Sequence, residues 1–364
     1  MSHDPTARRS IPDNPERAAS ALRRRSSIAS YIFALSVLSL LVVAGMVAAF
    51  ALGSTDLSVG EVFDALGQRQ AVDAGGGSQA DRIIWRVRAP RAVLSVLVGL
   101  NLAVAGVLLQ GVMRNPLASP GIIGVMAGAA LFATLAMLVF PTGGLPGAPR
   151  QLHVPAMAFV GAMLAAAIVF ALSWQPGSGT SPTRMILAGV AVTAMVGAAQ
   201  NFLSVLFADR IAGVLTWLAG SLSTRGWSEL SMIWPFTVVG MAIALSLARP
   251  LNLLQMGEDS ARSLGVSVQR TRLLAVLAAA LLTASAVCVA GIVGFVGLVV
   301  PHIVRTALCT NHRWLIPASA LAGAALVGWA DVAARQLGEM PVGVLTAAIG
   351  GPYFVYLLYK TKLI

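Results

Sequence analysis

The stretch Leu254-Gln-Met-Gly-Glu-Asp-Ser-Ala-Arg-Ser-Leu-Gly265 is a polar island between two long apolar runs. Glu258 and Asp259 stand where the first turn of a short helix would be. Arg262 follows Glu258 by four residues and Gly265 supplies a stop, so charge placement, helix dipole and C-cap signals agree. The spacing predicts an ordered, charged helix in a connection between membrane spans. Such an element is either a solvated interfacial helix with no partner or a handle gripped by something outside the bilayer.

Outward from this island the chain is oily. Of its 364 residues 57% are hydrophobic and 11% charged, with a mean hydropathy of +0.82, whereas ordinary soluble domains carry roughly 25% charged residues. The composition predicts an all-α, polytopic membrane protein. In a soluble chain the formal net charge of +11 would suggest nucleic acid. Here the basic residues gather at the ends of apolar segments and in the N-terminal tail, where they read as topology signals and contacts to membrane lipid, not to nucleic acid. Cys288 and Cys309 lie in or beside apolar runs without metal-ligand neighbours and read as packing residues.

A bilayer core of about 30 Å asks for roughly 20 apolar residues per helix. Runs near 31–52, 91–113, 119–140, 154–174, 184–207, 231–248, 272–294, 314–334 and 342–359 meet that demand. Between the seventh and eighth lies Phe295 to Cys309, too short for a comfortable crossing and interrupted by Pro301. It reads as a shortened tenth helix or a re-entrant piece and, in either form, as a candidate wall of a pathway. Counting it gives about ten spans with both termini on one side. That side receives 16 of the 25 Lys and Arg residues, and most of the rest fall in the long first loop, so it is assigned as cytoplasmic. Residues 1–30 read as a basic, disordered cytoplasmic tail and 31–364 as the transmembrane domain. The apolar run after the tail exceeds the 7 to 15 residues of a signal peptide and reads as a retained span. Loop 53–90 reads as a flexible exterior connection. No Gly-x-x-x-x-Gly-Lys-Ser/Thr sequence occurs, so any ATP chemistry needs another subunit.

Charged residues near the spans are few. Arg88 and Arg91, at the mouth of the second span, would form an exterior positive rim suited to carboxylates or to lipid headgroups. Asp331 is the clearest acid inside a span; Arg335 four residues on predicts a helix-end ion pair in preference to a proton relay. His302 and His312 have no partners at metal-ligand spacing, so no metal site is predicted. Ser181 and Thr183 precede the fifth span and read first as caps.

Six motifs in order resemble a known family: Arg88-Ala-Pro-Arg91; Gln110 to Gly121 around Asn115-Pro-Leu-Ala-Ser-Pro-Gly; Trp217 to Leu222; Gly257 to Gly265; Gly291 to His302; and Pro341 to Thr346. The chain resembles the permease subunits of ABC importers for ferric siderophores, haem and cobalamin, over about residues 82–360. The resemblance implies a bacterial inner-membrane permease that pairs with a second copy or homologue, binds ABC ATPase subunits, and accepts substrate from a periplasmic binding protein. ATP and Mg²⁺ would sit in the ATPase, with no cofactor on this chain. It implies an ATPase-coupling helix with Glu258, Asp259, Ala261, Arg262, Leu264 and Gly265 as contacts. Arg88, Arg91 and Arg335 are implied as exposed docking contacts for the binding protein, and Ser181 and Thr183 as part of a cytoplasmic gate. Ferric siderophore is the first expected cargo, with haem and cobalamin as alternatives. An ion-coupled secondary transporter is the competing class, and would have to rely on Asp331.

Overall fold

A computed structural model describes residues 28–53, 59–67, 72, 76–141, 150–177 and 179–360. The basic tail before residue 28 lies outside them. In chain order the helices are α1 (Ile28–Ala51), α2 (Val59–Gly67), α3 (Gln79–Met113), α4 (Val125–Val139), α5 (His153–Ser173), α6 (Pro182–Leu206) and α7 (Ala212–Leu218). They continue with α8 (Trp227–Ser246), α9 (Ala248–Leu254), α10 (Glu258–Ser263), α11 (Val268–Ala290), α12 (Val296–Ala307), α13 (His312–Gln336) and α14 (Val342–Lys360). Among the described residues seven helices are long and apolar enough to cross a bilayer, and α4, α12 and α14 are shorter apolar helices. All ten fall on expected spans.

The centre of the bundle is α3 packed against α11 and α13, rich in Ala, Gly and Val. Lipid tails are as apolar as leucine, so close contact between membrane helices comes from small residues that let backbones approach. A Cβ on Gly99 would stand 2.0 Å from the Gly323 carbonyl oxygen, and one on Gly106 1.8 Å from that of Gly297. These contacts lock α3 to α13 and α12. Buried polar pairs fix the register: Asn101 Nδ2 donates to Thr237 Oγ1 at 2.8 Å, and Gln110 Nε2 to the Leu298 carbonyl at 3.2 Å. The first span is part of the same bundle, with Tyr31 stacked on Trp314 and Trp329 Nε1 donating to the Leu41 carbonyl.

The interrupted segment resolves into a short helix. Gly291 (φ 71°) ends α11, a short irregular stretch follows, and Phe295 (φ 65°) turns the chain into α12. Its 12 residues span about 18 Å, less than a hydrocarbon core. An arginine side chain reaches a carbonyl beside this break. Arg225, between α7 and α8, donates from Nε to the Val289 carbonyl at 2.7 Å; burial pulls its guanidinium below its ordinary pKa, while Glu229 opposes that shift.

Two expectations need correction. The third span begins as a 3₁₀ turn, Pro120–Ile123, and becomes α-helical only after Gly124 at φ 74°; proline and glycine there favour a turn over a continuous helix. The loop expected to be flexible carries α2 and the first turns of α3, where Val62, Ala65 and Ile84 form a small core. A π-helical turn, Ile84–Arg88, precedes Pro90, a residue that cannot donate to the helix and crowds the carbonyl four residues back. Among the described residues the all-α fold also holds one small hairpin, β1 (Trp174–Gln175) with β2 (Gly179–Thr180), directly before α6.

Candidate functional site

The polar island folds as expected. Gly257 at φ 115° turns the chain into α10. At its other end Gly265 N donates to the Arg262 carbonyl at 3.0 Å and Val266 N to that of Ala261 at 2.9 Å, the paired bonds of a Schellman stop with Gly265 at φ 82°. Glu258 and Arg262 pair at 3.5 Å, and Arg262 also meets Asp259 at 3.6 Å. Asp259 and Arg262 point outward, Leu264 is 57% exposed, and the preceding Met256 stands out beside them. Ala261 is a correction: it is fully buried, because the smallest side chain of α10 is the one that seats it against the bundle, so it offers no outside contact.

Arg272, one turn into α11, is buried and ties three elements together. Its Nη2 pairs with Glu258, and its Nη1 donates to the Thr180 carbonyl at 2.7 Å. Gln269 Oε1 accepts from both the N–H and the hydroxyl of Thr180 at 3.0 Å. The hairpin before α6, the helix α10 and the head of α11 thus share one polar joint. Sequence reasoning missed it by counting Arg272 as a topology charge. The available signal was a basic residue placed inside an otherwise apolar span, which needs a partner there. Ser181 caps α6, accepting from Arg184 N at 3.3 Å, with Pro182 in the first turn; Thr183 is exposed beside it.

At the opposite end Arg88, Arg91 and Arg335 do come together, but the expected exposed rim is wrong. All three are buried. Arg91 Nε donates to Asp331 at 3.0 Å and its Nη1 pairs with Glu339 at 2.6 Å, while Arg335 Nη2 meets Asp331 at 2.7 Å. Arg88 Nη1 donates to the carbonyls of Phe50 and Ala51, and Arg335 Nη1 to that of Ala49. A helix end leaves carbonyls without partners, and a carboxylate inside a span needs cations; both demands draw these guanidiniums inward. The i,i+4 pair of Asp331 and Arg335 is present as expected. Glu339 is 40% exposed and holds a left-handed backbone, φ 58°, so it is both the accessible and the strained member of the cluster.

Among the described residues no three His, Cys, Asp or Glu side chains gather as a metal site needs. Cys288 and Cys309 are unpaired, and burial pushes the Cys309 thiol up.

The chain matches the model of the FecCD transport family over residues 40–360. It is 42% identical over 289 residues to the hemin transport system permease protein HmuU of Yersinia pestis, covering 77% of this chain and 84% of that protein. The cobalamin import system permease protein BtuC of Halobacterium salinarum is 43% identical over 280 residues, 77% of this chain and 74% of that one. The Fe(3+)-citrate import system permease protein YfmD of Bacillus subtilis is 36% identical over 343 residues, 93% and 98%. A solved structure described as an inward-facing metal-chelate type ABC transporter shares the fold with a TM-score of 0.76 at 31% identity, covering 90% of this chain and 98% of that one. With the charged helix, its arginine joint and the ionic cluster all inside the matched region, the chain belongs to the FecCD transport family and is a multi-pass ABC importer permease.

Proposed function

We propose that the protein imports ferric siderophores across the bacterial inner membrane, with both termini cytoplasmic. It pairs with a second permease copy or homologue and takes substrate from a periplasmic binding protein. ABC ATPase subunits holding ATP and Mg²⁺ drive it, and this chain carries no cofactor. The observation that carries this reading is α10: an outward face of Asp259, Arg262 and Leu264 on a helix whose inner carboxylate is pinned to Arg272. Movement of a gripped α10 passes through Glu258 and Arg272 to Thr180, and so to Ser181 and Thr183 at the head of α6, where a cytoplasmic gate would open and close as the two sides alternate.

At the other end, a docking carboxylate reaches Arg91 by displacing Glu339, while Arg88 and Arg335 hold the floor beneath. Such contacts set orientation and on-rate and weaken with salt. Asp331 lies between two guanidiniums, an arrangement suited to a structural ion pair and ill suited to ion coupling.

The siderophore reading draws on the ferric-citrate relative matched along almost its whole length and on the metal-chelate transporter fold. Haem is the second reading, favoured by the hemin permease at 42% identity. Uptake of labelled ferric siderophore, haem and cobalamin into cells with and without this chain, each repeated with an ATPase-inactive partner, separates them. Ferric siderophore uptake lost in both controls is the expected result. Uptake of haem or cobalamin alone would reassign the cargo, and uptake surviving ATPase inactivation would overturn the ATP-driven reading.

A further inference from the structure

Near the root of α10, the ends of α3 and α12 border an open cleft of about 300 Å³ whose polar side chains are Gln110, Arg114, Asn115, Gln255 and Arg305, with Gly111 and Pro116 completing the wall. Its walls hold two guanidiniums and three amides but no carboxylate. Arg305 is partly buried, yet its one polar side-chain contact is long, 3.4 Å from Nη2 to Gln110 Oε1, and its Nε is buried with no hydrogen-bond partner. Among the described residues neither Arg305 nor Arg114 forms an ion pair. This contrasts with Arg91, Arg272 and Arg335, which all have carboxylates.

Arg114 adds a second, independent sign. It closes α3 in the left-handed conformation, φ 50°, a position that ordinarily goes to glycine or asparagine. An arginine there places a charge over the pocket mouth at the expense of an easier turn. A partly buried cation without a counter-charge is unfavourable, and a bound anion removes that penalty.

We propose that this pocket binds an oxyanion of the phosphate class, with Arg305 beneath it, Arg114 over it, and the amide of Gln255 as a further donor. Guanidinium forks suit phosphate oxygens, and basic pockets between membrane helices take phospholipid headgroups. The volume lies at the small end of ligand sites, about 300–1,000 Å³, which fits a phosphate and part of its ester and is too small for a metal chelate. The site stands on one chain alone and is independent of the transported cargo.

The test uses the full-length protein in detergent and native mass spectrometry. Phosphatidylglycerol and phosphatidylcholine are titrated separately, and inorganic phosphate is titrated without lipid while thermal stability is followed. The expected result is phosphatidylglycerol held about tenfold more tightly than phosphatidylcholine, the worth of one charge-assisted contact, with Arg114→Gln and Arg305→Gln abolishing the preference. Arg249→Gln, at a separate basic cleft, leaves it intact. Stabilisation by inorganic phosphate that depends on Arg114 and Arg305 would assign the site to the free anion instead of the headgroup. Arg114 is exposed, so its variant folds even if Arg305→Gln does not. If Arg114→Gln binds phosphatidylglycerol and phosphate as the unmodified protein does, the proposal fails.

Discussion

Asp331 accepts from two arginines of different origin, and the contrast shows what sequence can and cannot reveal. Arg335 lies one helical turn away, so the pair was readable from spacing. Arg91 lies 240 residues away and is brought to Asp331 only by the close packing of α3 on α13; reading it as an exterior arginine missed that demand. Asp331→Asn leaves two buried guanidiniums short of a partner, a loss of about 3–5 kcal/mol. The expected outcome is poor membrane yield and a lowered melting temperature in detergent, while Arg335→Lys, which keeps the charge, is milder. Glu339 should behave in the opposite sense. Replacing it with Gln frees Arg91 for a docking carboxylate and removes a like charge, so the affinity of the binding protein rises about tenfold at low salt and the gain fades as salt screens it. Surface plasmon resonance across a salt series measures this; unchanged affinity would remove Glu339 from the docking surface.

The helices were legible to the degree that each carried its own signal. α10 declared itself through two acids, a basic residue and a glycine, and α12 through its shortness and Pro301. α2 and α7 did not, because helices of nine and seven residues fall below any span criterion and owe their order to packing. Close approach between elements was legible only as glycine abundance. The particular pairs, Gly99 with Gly323 and Gly106 with Gly297, depend on the register in three dimensions. Gly106→Leu drives side-chain atoms into the backbone of α12, with no flexible neighbour to yield, so loss of folded protein is expected by size-exclusion profile. Gly294→Ala, with nothing within 4 Å of the added Cβ, should be tolerated. At Gly265 the cost is backbone strain, on the order of 1 kcal/mol for a non-glycine residue. Gly265→Ala should therefore leave expression intact while loosening the end of α10, seen as faster hydrogen exchange there.

Across the molecule, two polar joints sit at opposite ends of an oily bundle. One joins α1, α3 and α13 through buried arginines; the other joins α10, α11 and the hairpin before α6 through Arg272. A rigid core between them suits alternating access, since packed helices switch between arrangements more readily than they deform. The sequence alone placed the spans and the charged helix. It did not place the joint that connects that helix to the rest, because Glu258, Arg272 and Thr180 come from three elements.

The most direct measurement is the ratio of substrate transported to ATP hydrolysed, in proteoliposomes holding this permease, its ATPase and its binding protein, for the unmodified chain and for Glu258→Arg. The substitution opposes like charge to Arg272 and breaks the joint without entering the core. ATP hydrolysis that continues while transport falls at least about tenfold, the loss of roughly one charge-assisted contact, is the predicted result. Transport and hydrolysis both unchanged would contradict a coupling role for α10.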